Sequence, residues 1–217
     1  MALVSILVSL VLGYLLGSIP TGLLVVRQFW GVDIRTVGSG RTGGTNAMRA
    51  AGRKAFLLVG FLDGLKCFLA VIVARLVFPD IPLAAAFAGI GGIAGNIWSM
   101  FIGFKGGAGG ASNIGIMIAL QPLVGIFALL LGGVAFFTIR MASVATLTGC
   151  TTAMLTLFAL AGLGYVPWEY TVYGVVQLIL VVIALRPNIQ RIMNGTERRI
   201  SLRGSGSEAT DKSGVRS

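Results

Sequence analysis

The sequence predicts an all-α integral membrane protein, a helical bundle of about seven segments, one of them short, with the N-terminus outside and the C-terminus cytoplasmic. Three observations predict it. The 217 residues are 56% apolar and only 11% charged, with a mean hydropathy of +0.92, whereas soluble domains carry roughly a quarter charged residues. Uncharged runs of about 20 residues, long enough to cross a bilayer, recur along the chain. Lys and Arg fall in loops beside those runs, and their bias toward the cytoplasm sets the orientation. The net charge of +10 therefore reads as topology and contact with anionic ligands or lipid headgroups, and no nucleic-acid partner is expected.

Residues 2–26 are the first span. No cationic region precedes it and no small-residue cleavage site is evident, which argues against a removable signal peptide. Pro20, after Gly17 and Ser18, predicts a kink or break near the cytoplasmic end. Residues 27–54 hold Arg27, Arg35, Arg41, Arg49, Arg53 and Lys54 against one acid, Asp33, so this loop is inside. The second span, 55–78, carries Asp63 and Lys66 on one helical face. Both are expensive in lipid and should point into the bundle, as a helix-stabilising ion pair or as the edge of a site.

Pro79, Asp80 and Pro82 make an outer turn. Span three, 83–102, returns inside to the glycine-rich stretch 103–110. The run 111–139 contains Pro122. A single crossing there would leave Arg140 and the basic tail outside; a short segment, 111–120, followed by a full one, 122–139, keeps both cytoplasmic. Spans 144–163 and 168–186, joined by a turn at 164–167, complete one domain over 1–192. Residues 193–217 form a polar basic tail, expected to be disordered or to lie along anionic lipid. Cys67 and Cys150 sit in apolar runs as packing residues, and no metal site is expected.

The stretch 37–54, VGSGRTGGTNAMRAAGRK, carries five glycines, three hydroxyls, one Asn and four cations. It cannot bury itself in hydrocarbon, and its backbone N–H groups are suited to an anion. A second stretch, GFKGGAGG, faces it from the same side. Glycines allow close backbone approach, helix N-termini add partial positive charge, and Arg49 and Lys105 add full charges. GFKGGAGG is not the P-loop pattern, since no Gly-Lys-Ser/Thr closes it. Two such loops with their cations converging on one face predict a phosphate site.

Residues 13 to about 197 resemble the bacterial membrane acyltransferases that move a fatty acyl group from acyl phosphate to glycerol 3-phosphate. GSIPTG at 17–22 is similar to that family's opening signature, and VGSGRTGGTNAMRAAG at 37–52 to its first functional loop. Asp63 and Lys66 match an Asp-x-x-Lys pair, FKGGAGGAS at 104–112 the second loop, and Arg140 with Ser143 an Arg-x-x-Ser element. Asn188 and Gly195 fall in the third motif. The resemblance implies a seven-helix bundle in the bacterial cytoplasmic membrane, lysophosphatidate as product and no cofactor. It implies acyl phosphate, glycerol 3-phosphate and membrane lipids as partners, together with the soluble enzyme that makes acyl phosphate.

It also implies catalytic roles for Ser39, Arg49 and Asn188. Substrate phosphate would be held by Gly38, Gly40, Arg41, Gly43, Thr45, Asn46, Lys66, Lys105, Gly106, Gly107, Gly109 and Ser143. Four departures stand out. Arg41 replaces an Asn, Asn96 follows Gly95 in place of a His, Ala108 replaces a Lys, and Leu185 and Pro187 occupy the places of a His and a Glu beside Asn188. Arg41 is positioned to compensate for the missing cation.

No His occurs anywhere, so the usual proton shuttle near neutral pH is missing. A phosphate oxygen or Asp63 is left to take the acceptor's proton. Ser39 is either a nucleophile, with no adjacent base to activate it, or a hydrogen-bonding loop residue. The losses at Ala108 and Leu185 motivate an alternative, a catalytically weak relative that binds a phosphorylated lipid or metabolite. A small-anion transporter is disfavoured by the absence of an internal repeat.

Overall fold

The first span breaks where Pro20 removes an amide donor. α1 (Ala2–Ser18) ends there and α2 (Thr21–Trp30) begins. The computed structural model describes residues 1–200, which form eight α-helices and no strand. α3 (Gly44–Val77), α4 (Pro82–Ile97), α5 (Gly110–Leu120), α6 (Pro122–Ile139), α7 (Ala142–Gly162) and α8 (Glu169–Met193) follow. Six stretches are long and apolar enough to cross a membrane: α1 with α2, α3, α4 with its short continuation, α6, α7 and α8. α5 is shorter. The seven expected segments are present, with the short one ending where Pro122 predicted.

Two boundaries differ from the sequence reading. α3 starts at Gly44, so the second half of the first glycine-rich stretch is helix and not loop. Gly52 (φ 83°, ψ −170°) breaks α3 there, a conformation costly for any residue with a Cβ. At the other end, α8 runs on through Pro187 to Met193. Residues after it fold back: the Ile200 N–H donates to the Arg140 carbonyl at 2.7 Å, and Glu197 and Ile200 are buried. Residues 197 and 200 thus pack against the bundle beyond the end of α8, with the one acid of that segment drawn inward. The rest of the expected tail, 201–217, lies outside the described residues.

Small residues decide the packing. Gly13 and Gly17 of α1 lie against Ala88 and Gly92 of α4, and Gly91 and Gly95 of α4 lie against Leu10 and Tyr14, so close that a Cβ at any of the four glycines would overlap a carbonyl oxygen. Helices in lipid gain little from apolar burial and associate through such close contact. α6 lies along α7, and α5 packs beside α3 through Gly64 and Gly115.

α5 has only 11 residues, about 16 Å at 1.5 Å per residue. Its first turn meets α3 at Gly64, deep in that helix. A cavity lined by α3, α5, α6 and α7 opens beside it.

Candidate active site

The cavity has a volume of about 810 Å³. Its polar end is lined by the first turns of three helices: Gly44 and Thr45 of α3, Gly110 to Ser112 of α5, and Ala142 and Ser143 of α7. The first N–H groups of a helix have no intrahelical partner and carry partial positive charge. Three such ends facing one volume make an anion site. Ser39, Arg41, Gly43, Asn46, Arg49, Asp63, Asn96, Gly109, Asn188 and Glu197 also line the cavity.

Several residues expected at phosphate have other tasks. Gly38 (φ 56°) and Gly40 (φ 69°) form a turn outside the lining. The Gly40 N–H donates to Val37 O at 3.0 Å, and the Ser39 N–H to Asn46 Oδ1 at 3.0 Å. Asn46 Nδ2 donates to the carbonyls of Ile34, Val37 and Arg41 at 2.8, 3.0 and 2.8 Å. Its amide braces the loop, and the residue also lines the cavity. Gly106 and Gly107 give their N–H groups to Ile97 O and Asn96 O, at 3.0 and 2.8 Å. They cap the orphan carbonyls at the end of α4. Lys105 is exposed and does not line the cavity.

Lys66 is likewise outside the lining. It pairs with Asp63 at 2.8 Å and donates to Ile19 O at 2.7 Å. Asp63 also accepts from the Thr21 hydroxyl and from Asn96 Nδ2. The pair thus bridges the break between α1 and α2: the ammonium meets the carbonyl end of one, and the carboxylate meets the amide end of the other, the polarity the helix dipoles favour. Of the two readings offered by the sequence, the structural pair describes Lys66, while Asp63 also borders the cavity.

Glu197 is the residue that sequence reasoning missed. Its Oε1 accepts from Ser143 at 2.8 Å and Asn188 at 2.7 Å, and its Oε2 from Arg191 at 2.9 Å. Burial alone would raise its carboxyl, but the hydrogen bonds from Asn188, Ser143 and Arg191 outweigh that and hold it below the ordinary value of 4.5. The carboxylate expected to be lost at Pro187 is thus supplied nine positions beyond Asn188, in the direction of the chain. A lone acid among Arg191, Arg198 and Arg199 was the available signal. With Nδ2 engaged, Asn188 leaves Oδ1 buried without a protein partner, in a residue that lines the cavity. Such a group is satisfied by a ligand or water.

Arg41 is half-buried, and its Nη2 donates to Ala184 O of α8 at 2.7 Å. Burial and the nearby Arg191 depress its guanidinium below the ordinary value, and Glu197 opposes them. Thr42 N–H to Gly106 O, at 3.4 Å, stitches the two glycine loops together beside it. Among the described residues no group of three or more His, Cys, Asp or Glu gathers as a metal site would require.

The far end of the cavity is apolar. Phe56, Leu57 and Phe61 of α3 face Leu129, Phe136 and Phe137 of α6, and Phe56 stacks on Phe136 with centroids 5.6 Å apart. Gly60 and Gly133 keep the groove smooth, since a Cβ at either would meet nothing within 4 Å. An anion site opening into an apolar slot between membrane-length helices defines a protein that handles phosphorylated amphiphiles.

The chain belongs to the glycerol-3-phosphate acyltransferase family, whose model matches residues 7–195. A relative from Dehalococcoides mccartyi, glycerol-3-phosphate acyltransferase 3, is 40% identical over 216 residues, covering 93% of this chain and 98% of its own. One from Aquifex aeolicus is 38% identical over 87% of this chain and 96% of its own. The crystal structure of PlsY, an integral membrane glycerol 3-phosphate acyltransferase, in its glycerol 3-phosphate form superposes with a TM-score of 0.81. It is 37% identical and is covered to 96%, against 91% of this chain. The lysophosphatidic acid form of PlsY gives a TM-score of 0.79 at 36% identity, over 90% of this chain and 95% of its own.

Proposed function

We propose that this protein transfers a fatty acyl group from acyl phosphate to a hydroxyl of glycerol 3-phosphate, releasing lysophosphatidate and inorganic phosphate at the cytoplasmic face of a bacterial membrane. One observation carries the reading: a single cavity joins three helix N-termini and two arginines to an apolar slot between α3 and α6. Both the donor and the product have a phosphate head and an acyl tail, and each needs both ends of such a cavity. The related PlsY structures, with glycerol 3-phosphate and with lysophosphatidic acid, support the acceptor and the product.

Acyl phosphate is a mixed anhydride and is already activated, so positioning and charge stabilisation suffice. The acceptor hydroxyl attacks the acyl carbon, and the bond from that carbon to the bridging oxygen breaks. Arg49 and the open N–H groups at the starts of α3 and α5 stabilise the carbonyl oxygen and the departing phosphate. Asp63 and Glu197 are each tied to a cation and to further donors. A phosphate oxygen of the leaving group therefore takes the hydroxyl proton. No carboxylate, Lys or Cys hydrogen-bonds the Ser39 hydroxyl among the described residues, and Ser39 serves the phosphate as a hydrogen-bond donor in a direct transfer. Asn188, steadied by Glu197, turns its free Oδ1 to the acceptor. The basic loops on this face orient it inward, where a soluble enzyme that makes acyl phosphate delivers the donor.

Purified protein supplied with acyl phosphate and glycerol 3-phosphate should form lysophosphatidate and inorganic phosphate in equal amounts, and Arg49→Ala should abolish both. Binding of glycerol 3-phosphate without turnover, or turnover from an acyl thioester in place of acyl phosphate, would overturn the reading.

A further inference from the structure

Four charged side chains line the cavity among the described residues: Asp63, Glu197, Arg41 and Arg49. The two acids are neutralised from behind. Lys66 holds Asp63 at 2.8 Å and Arg191 holds Glu197 at 2.9 Å, and neither of those cations lines the cavity. Among the described residues, neither Arg41 nor Arg49 is paired with a carboxylate. The cavity therefore presents two unneutralised guanidinium groups to a reaction whose two substrates each bring one phosphate.

We propose that the two arginines are allotted to different substrates, with Arg41 gripping the phosphate of the acceptor and Arg49 that of the acyl donor. This inference rests on the reactants named above. Arg49 stands on the short first segment of α3, just before the Gly52 break, and the segment after the break carries Phe56 and Gly60 of the apolar slot. A donor with its tail in that slot brings its phosphate toward α3. Arg41 is fixed against α8, by Ala184 O at 2.7 Å, and beside the second glycine loop by the stitch between Thr42 and Gly106. The same helix carries Asn188 one turn further on, a cavity-lining residue whose Oδ1 is buried with no hydrogen-bond partner among the described residues. The acceptor, which has no tail, belongs in this polar corner, its phosphate on Arg41 and a hydroxyl on Asn188.

The exposed Lys105 leaves Arg41 as the cation nearest the second glycine loop that lines the cavity. An arginine held by one N–H still offers a planar edge for two bonds to phosphate. A lysine in its place keeps the charge and loses that geometry.

Steady-state kinetics with each substrate varied separately test the division. Loss of a charged hydrogen-bond partner is worth about 1.5–3 kcal/mol, roughly a 10- to 150-fold change. Arg41→Gln should raise KM for glycerol 3-phosphate by that factor, with KM for acyl phosphate changed less than about threefold. Arg49→Gln should raise KM for acyl phosphate, lower kcat, or both. Should Arg41→Gln fail to fold, Arg41→Lys decides, with an acceptor KM raised about tenfold or more. An unchanged acceptor KM in the foldable Arg41 variant, or a rise confined to the donor, overturns the assignment. Absence of turnover in the unaltered protein would instead defeat the underlying reading.

Discussion

Removing the carboxylate of Glu197 should loosen the third wall of the site and lower stability together. The side chain accepts three hydrogen bonds, from Ser143, Asn188 and Arg191. Bonds to a buried charged acceptor are worth about 1.5–3 kcal/mol each. The Arg191 guanidinium is 39% exposed, so that pair adds only about 0.2–1 kcal/mol. Glu197→Gln can keep its Oε1 for both Ser143 and Asn188 and sets an amide donor against Arg191 in place of Oε2, so its loss is confined to the exposed pair, about 0.2–1 kcal/mol. Glu197→Ala loses both bonds, about 3–6 kcal/mol. For a chain of this size each kcal/mol shifts Tm by about 2–4 °C, giving falls of about 0.4–4 °C for Glu197→Gln and about 6–24 °C for Glu197→Ala.

Thermal unfolding in detergent measures the fall, and a turnover assay on the same samples measures the loosening of Asn188. The pH dependence has a definite sign. Because its folded pKa lies below the ordinary 4.5, Glu197 contributes its full stability above that pH and loses it as pH falls through the folded value. Wild type and Glu197→Gln should therefore converge as the pH is lowered past about 4.5. A Glu197→Ala protein with wild-type Tm and wild-type turnover would refute the reasoning.

Other perturbations follow from the same structure. Asp63→Asn leaves the Lys66 ammonium buried without its counter-ion and should destabilise by about 3–5 kcal/mol; the double change Asp63→Asn with Lys66→Met should recover part of that Tm. Gly91→Val drives a side chain into the Leu10 carbonyl, and overpacking of about 1–3 kcal/mol or more should show as a lower Tm or loss of the monodisperse peak on size exclusion. Gly60→Leu projects into open groove and should discriminate by tail length. Each methylene displaced from the slot weakens donor binding by about 0.8 kcal/mol, close to fourfold, so long-chain acyl phosphates should suffer most when KM is compared across a chain-length series.

Hydropathy and proline placement made the bundle legible. Pro20 and Pro122 located the break between α1 and α2 and the short helix α5. The helical state of residues 44–51 was concealed because their glycine content argues for loop, and only tertiary packing fixes Gly44 as a helix start. At the site, Arg41, Arg49, Asn188 and Ser143 could be read as cavity residues because their types suit phosphate. The capping bonds of Gly106 and Gly107 and the loop-bracing bonds of Asn46 were not legible, since a glycine N–H that caps a helix and one that holds an anion look alike in sequence. The partner of each donor is a property of the fold. Glu197 was hidden by its position in a segment whose composition signals disorder.

The slot between α3 and α6 also governs traffic. A tail of about fifteen methylenes drawn into water would cost about 12 kcal/mol, a barrier that would throttle any route by way of the cytosol. Phe61, Leu57 and Phe137, exposed among the residues of the slot, would let the donor and product of the proposed reaction slide in and out within the plane of the bilayer. In the proposed reaction only the small, tailless acceptor and free phosphate need cross between enzyme and water, so the traffic would divide by solubility, greasy molecules by the side door and ionic ones by the front.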